Sequence, residues 1–433
     1  MTKKKKETAG NSRATRGQSS GNSRATRGQS SGNSPAAPGY LIIDKEEPEY
    51  IGKTKTGGIK IDWSEIFKIY NSLGCPKDVY NPSTLPIDKA AWFVLTSERN
   101  TGKTTNLILL SMILNLKYGM ISAYLRESSD EVTPKEMANF MNVIINNGYV
   151  QKLTNGEYNG VRFWARHYRF VKWTPDGKRE KESEPFLWVG AVTEWSGYRS
   201  TLNLPLCNFI LYDEFITEHT PPDLFIGLCQ IIKTIGRNRS GVKIFLCANT
   251  TNYYHEFFQE LLIQEEVLNC GVNQDFIKVT PLGTSVYYRR IGDMDPQREA
   301  INREYFGLTN PKLKSITGGD WAIKNYPHAR HDEEKEVIYD KAAIRFMLRY
   351  YQIELCRSEK LGLYCIVHPV RDIKKSNIIY TIEEITERKE KYCFGDSKID
   401  KLIWSLYNKN KWYYSTNDVG FSVETYVNRA NNL

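Results

Sequence analysis

The chain has 433 residues, 40% hydrophobic and 25% charged, the make-up of a globular protein with room for two or three domains. Its longest apolar stretch, LILLSMILNL at 107–116, is too short to span a bilayer, and no apolar segment follows the lysines at 3–6. Neither a membrane partner nor a secretory leader is therefore expected, and the eight scattered cysteines, with no C-x-x-C pair, argue for reduced thiols over a disulfide framework or zinc site.

The net charge of +9 is concentrated at the start, because residues 1–40 hold eight Lys/Arg against one acid. The remainder is close to neutral, so overall charge does not by itself make the body a nucleic-acid binder. Residues 1–39 contain GNSRATRGQSS twice in tandem, at 10–20 and 21–31. A Gly/Ser/Arg repeat without large apolar residues cannot offset the entropy of ordering, which predicts a disordered basic tail. Such a tail is either a loose electrostatic tether to nucleic acid or a solubilising extension.

Folded structure is expected from Tyr40. WSEIFKIYNSL at 63–73 has helical spacing of its apolar positions. AAWFVLT reads as a buried strand, followed by the loop SERNTGKTT at 97–105, a helix over 104–118 and a strand over 120–126. A helix follows Pro134. RFWARHYRFVKW and PFLWVGAVT flank a turn-rich stretch and predict a β-hairpin. A strand at 208–214, a helix at 221–235 and a strand at 242–249 complete the alternation. Strands alternating with helices predict an α/β domain over 40–282 with a mostly parallel, doubly wound sheet. Residues 283–334 read as a connector with a helix at PQREAINREYF capped by Asp295, and 335–433 as a smaller α+β domain.

The loop carries the chemistry. Ser97, Glu98, Arg99, Asn100, Thr101, Gly102, Lys103, Thr104 and Thr105 end as a phosphate loop ends, with serine where G-x-x-x-x-G-K-[ST] has its first glycine. Backbone N–H groups at a helix N-terminus wrap phosphates, Gly102 permits the turn, Lys103 supplies charge, and the Thr104 hydroxyl ligates Mg²⁺. A lone GKT is weak, but here a buried strand precedes it and an apolar helix follows. The strand NFILYDE ends in Asp213 and Glu214, and carboxylates at the end of a buried strand are hard to explain by packing. Asp213 suits Mg²⁺ and Glu214 suits the base that activates a water. KIFLCANTT ends in Asn249, either a γ-phosphate sensor or a turn cap. Arg126 ends its strand as a nucleotide or DNA contact or as an ion pair. Arg199, Arg237 and Arg239 lie outside the loop, where a guanidinium can serve a neighbouring subunit's nucleotide. His328 and His331, in a charged run, read as linker rather than metal ligands.

With these motifs in this order, the chain resembles the DNA-encapsidation ATPases of small short-tailed, protein-primed bacteriophages of the Picovirinae type, distant relatives of large terminases. The resemblance covers about residues 90–255. It implies an additional-strand (ASCE) P-loop ATPase domain and a C-terminal domain with a degenerate RNase H-like fold. It also implies ATP hydrolysis with Mg²⁺, driving double-stranded DNA into a capsid from a homopentameric ring. That ring would dock on the portal of a procapsid in the host cytoplasm, and a structural RNA is a further candidate partner. Carried over, Lys103 and Thr104 hold phosphates and Mg²⁺, Asp213 holds Mg²⁺, and Glu214 is the catalytic glutamate. Arg239 becomes the preferred trans-acting finger, with Arg237 and Arg199 behind it. Asp340 is the one C-terminal acid placed like a nuclease ligand, so an inactive nuclease is expected. The competing readings are another ASCE translocase or helicase, a terminase with a working nuclease, and a non-enzymatic nucleotide-binding scaffold.

Overall fold

The computed structural model describes residues 40–46, 49, 59–98, 100–204, 206–217, 221, 223–237, 239–249, 255–292, 326–328, 335–347, 349–373, 378–383, 385, 390–392 and 395–431. The repeat tail, Arg99, Thr250, Thr251, the helix expected after Asp295, and residues 331–334 lie outside them.

Nine strands form the larger sheet: β1 (Trp92–Ser97), β2 (Ser122–Arg126), β3 (Gly160–Trp164), β4 (His167–Trp173), β5 (Arg179–Ala191), β6 (Phe209–Asp213), β7 (Lys243–Asn249), β8 (Asp275–Val279) and β9 (Ser285–Ile291). Their order is β3-β4-β5-β2-β6-β7-β1-β9-β8, and the run from β5 to β9 is parallel throughout. β7 thus intervenes between the strand entering the phosphate loop and the strand ending in the acids, which is the additional-strand arrangement. Because both faces are covered, β1 and β6 are buried at every position, as parallel strands require.

Side chains alternate between the two faces. Phe93, Leu95, Leu211, Phe245 and Cys247 join the core under helix Lys103–Tyr118. Val94, Ile210, Ile244 and Leu246 face helix Leu224–Gly236 on the other side. The same alternation brings Ser97, Asp213 and Asn249 to the carboxyl ends of their strands on the first face. Open α/β sheets bind ligands there.

Two sequence expectations are corrected. RFWARHYRFVKW is itself two strands, β3 and β4, turning through Ala165 and Arg166 at positive φ, and β5 extends the pair to a three-stranded meander. The second half of β5 then runs parallel to β2, so one strand serves both arrangements. The connector begins later than 283, because β9 pairs with β1 along its whole length and belongs to the main sheet.

The second sheet comprises β10 (Glu336–Phe346), β11 (Arg349–Ser358), β12 (Gly362–Val370), β13 (Ile378–Thr381), β14 (Glu390–Tyr392) and β15 (Trp412–Tyr414), in the order β14-β13-β10-β11-β12-β15. β10, β11 and β12 form an antiparallel meander, while β13 runs parallel to β10, β14 to β13 and β15 to β12. Helices Lys398–Asn408 and Asn417–Ala430 cover one face through Ile403, Trp404, Val423 and Tyr426. His328 bridges to Tyr414 at the sheet's end, its ring bonded to the Tyr414 carbonyl at 3.0 Å, as a structural linker residue would be. The segment after β7 meets this region: Arg429 reaches Glu256 at 2.6 Å and Glu260 at 2.7 Å, and Gln259 donates to Ser422. Among the described residues no helix is long and apolar enough to cross a membrane.

Candidate nucleotide-binding site

The phosphate loop turns sharply out of β1 and into helix Lys103–Tyr118. Asn100 has φ 63° and Gly102 φ 81°, the left-handed region that glycine enters without steric cost. A Cβ on Gly102 would lie 2.9 Å from Asn106 Nδ2 and 3.0 Å from Val79 Cβ. Asn106 is fixed there, donating to the Tyr80 carbonyl at 2.8 Å and accepting from Tyr70 Oη at 2.8 Å. Gly102→Ala is therefore expected to destabilise the protein by about 1–3 kcal/mol and to weaken ATP binding. Thermal unfolding and a nucleotide titration check this.

Ser97, where the pattern has glycine, takes an active part in the loop. Its fully buried hydroxyl accepts from Lys103 Nζ and lies 2.6 Å from Thr101 Oγ1. Lys103 is held by neutral oxygens, and burial lowers its pKa against the pull of Asp213 and Glu214. An ammonium kept so little solvated favours a phosphate over its resting partners.

Across the crevice, Thr104 Oγ1 donates to Asp213 Oδ1 at 2.9 Å. Tyr124 Oη donates to Asp213 Oδ2 at 3.1 Å. Asp213 is nearly inaccessible, and burial raises its pKa despite Arg126 and Thr104. A hydroxyl and a carboxylate in contact are hard oxygen donors suited to Mg²⁺, and the Thr104–Asp213 contact places both on one point. These residues fit the ion.

Glu214 leaves the strand at φ 54°, a strained conformation for a non-glycine residue. The turn carries its carboxylate out to a half-exposed position, where Arg126 Nη2 meets Oε2 at 2.6 Å. Arg126 also binds Glu131 at 2.5 Å and approaches Asp213 Oδ2 at 3.8 Å. Burial disfavours its charge, yet Tyr124, Glu214, Glu131 and Asp213 outweigh that and hold it firmly protonated. Arg126 thus forms ion pairs, and one partner is the acid of greatest chemical interest.

These groups line a cleft of about 710 Å³ that takes in Asn100, Lys103, Thr104, Asp213, Glu214 and Asn249. Asn249 stands opposite Ser97 in the β1–β7 register. Pro76, Val79, Val143, Asn147 and Tyr149 also line it, none of which a sequence motif marks. Val143 is largely exposed there, an apolar surface of the kind a nucleobase covers.

The arginines fare differently. Arg239 donates to the carbonyls of Gly236, Leu204, Cys207 and Ile235, at the amino-terminal edge of the sheet, opposite the cleft. It caps helix Leu224–Gly236, whose terminal carbonyls need donors. Its guanidinium is committed to its own backbone, an arrangement that does not favour the trans-acting role expected for Arg239. Arg237 is bound in the same way to the Leu202 carbonyl at 3.2 Å. Arg199 is exposed and stacks over Trp195 at 4.5 Å, in helix Trp195–Thr201 at the carboxyl end of β5. Tyr198 Oη ties that helix to Ala191 N, beside Arg126.

Two solved structures align with most of the chain. The Phi-28 gp11 DNA packaging motor is 16% identical with a TM-score of 0.50, covering 79% of this chain and 95% of the other. The bacteriophage Phi-29 viral genome packaging motor assembly is 14% identical with a TM-score of 0.55, covering 82% and 99%. No family model matches the sequence, and no curated protein matches it. At these identities the likeness is one of fold, and it extends over nearly the full length of both motors.

Proposed function

We propose that this chain is an ATP-driven motor that translocates double-stranded viral DNA into a preformed capsid, acting as a homo-oligomeric ring, a pentamer by the sequence resemblance, docked on the portal. One observation carries the reading: Lys103, Thr104, Asp213 and the Arg126-held Glu214 converge at the carboxyl ends of an additional-strand sheet. That constellation hydrolyses a nucleoside triphosphate, and the shared fold with two packaging motors supports DNA as the load.

ATP would place its phosphates over the loop N–H groups, and Lys103 would exchange Ser97 for the β/γ-phosphate oxygens. Mg²⁺, when bound by Thr104 and Asp213, supplies charge neutralisation across those oxygens. Glu214 orients and deprotonates the attacking water, which requires its carboxylate to leave Arg126. Asn249 faces the same space and is our candidate sensor. Further along the chain, Glu256 and Glu260 bond to Arg429 and Gln259 to Ser422, on the helix that covers the second sheet. Purified protein is expected to hydrolyse ATP with Mg²⁺, faster with duplex DNA, and to displace a triplex-forming strand without separating the duplex. Strand separation would favour a helicase, and absence of hydrolysis under all conditions would sink the motor.

We read the second sheet as a degenerate RNase H-like domain without nuclease activity. The order β14-β13-β10-β11-β12, with an antiparallel meander and two parallel additions, is the strand order of that fold. Two-metal cleavage needs several converging carboxylates. Asp340 lies on β10, but buried Asp400 is committed to Tyr380, Ser397 and Lys391. Among the described residues no three His, Cys, Asp or Glu side chains form a metal-holding group. Plasmid DNA should survive incubation with the protein and Mn²⁺. Cleavage that disappears in Asp340→Ala would overturn this and favour a terminase with a working nuclease.

A further inference from the structure

Tyr124 stands in the middle of β2 with no accessible surface, its ring packed on Phe140 at 4.8 Å between centroids. Packing alone would be met by phenylalanine, which avoids burying a hydroxyl. The hydroxyl donates to Asp213 Oδ2 at 3.1 Å, and the Arg126 guanidinium acts on the same phenol. Asp213 Oδ1 takes the Thr104 hydroxyl at 2.9 Å, so the two carboxylate oxygens are pinned by donors from different elements. A carboxylate held at both oxygens cannot turn about its terminal torsion, and its remaining lone pairs keep one direction. Arg126, two residues along β2 and on the same face, supports Glu214 in a parallel way. β2 thus supports both acids that follow from β6, Asp213 through Tyr124 with Arg126 at longer range, and Glu214 through Arg126.

We propose that Tyr124 is a positioning residue, whose phenol fixes the plane of the Asp213 carboxylate for the divalent cation of the nucleotide. The inference rests on the ATPase reading above. Groups that orient a metal ligand without touching the metal typically contribute 10–100-fold to metal affinity.

Tyr124→Phe keeps the ring and deletes only the donor. Mn²⁺ binding is titrated by paramagnetic resonance on the full chain with a non-hydrolysable ATP analogue, so turnover plays no part in the readout. The variant is expected to bind Mn²⁺ about tenfold more weakly, with metal-free binding of the analogue unchanged. In an Asp213→Asn background the same change should have no further effect, since its target is gone. Tyr124→Met, which also lacks a donor, replaces Tyr124→Phe if the latter fails to fold and should show the same loss. Unchanged Mn²⁺ affinity, or an equal loss in the Asp213→Asn background, overturns the role. A wild-type chain that binds neither analogue nor Mn²⁺ overturns instead the ATPase reading beneath it.

Discussion

Glu214→Gln is expected to bind ATP as the wild type does and to lose about 10²–10⁴-fold in turnover, the range that a positioned general base contributes. The amide has the same size and can still meet Arg126, so the cleft keeps its shape. It cannot accept the water's proton, and that is the function assigned to the carboxylate. Lys103→Ala should behave in the opposite way. Its ammonium faces the phosphates from inside the loop, so its loss should weaken binding of ATP itself. Equilibrium binding of a fluorescent ATP analogue, set beside steady-state hydrolysis, separates the two. Normal turnover by Glu214→Gln would remove it from the catalytic position, whatever the Lys103 variant does.

Local chemistry made part of this site legible in the sequence. Gly102, Lys103 and Thr104 announce themselves because phosphate binding constrains consecutive residues, and Asp213 because an acid ends an otherwise apolar strand. The supports did not show. Tyr124 looks like an ordinary strand residue, and Arg126 stands out without a partner, until β2 is laid beside β6, whose paired residues lie 87 apart, as in Ala123 and Ile210. Ser97 reads only as a serine in the place of the pattern's first glycine, yet its hydroxyl is the partner of Lys103. The walls at Val79 and Val143 come from segments on either side of the loop and carry no motif. β9 was misplaced for a related reason. A strand seven residues long, following a glycine turn, is indistinguishable from connector until its parallel partner β1 is known. Arg239 is the most instructive case: a basic residue in a loop looks free, and nothing in the sequence reveals the four carbonyls that it meets.

Arg199→Ala is expected to fold, bind ATP and lose about 10³-fold or more in hydrolysis, because an inserted guanidinium stabilises charge developing on the transferred phosphoryl group. Among the three arginines we now favour Arg199, because its side chain is exposed and its helix lies at the carboxyl edge of the sheet, where a ring can present it to a neighbour's cleft. Arg239→Ala should act elsewhere. Withdrawing its bonds leaves helix-end carbonyls short of donors, which costs about 1–3 kcal/mol of stability and is read in thermal unfolding before any assay of rate. Mixing decides whether Arg199 works in trans. In rings built from Arg199→Ala and Glu214→Gln subunits, some interfaces pair an intact Glu214 with a neighbour's intact Arg199, so part of the activity returns although each variant alone is nearly inactive. Well-mixed rings that show no recovery would place Arg199 in its own subunit's site. A stably folded Arg239→Ala that loses hydrolysis, and regains it on mixing with Glu214→Gln, would instead show that Arg239 leaves its carbonyls when the ring assembles.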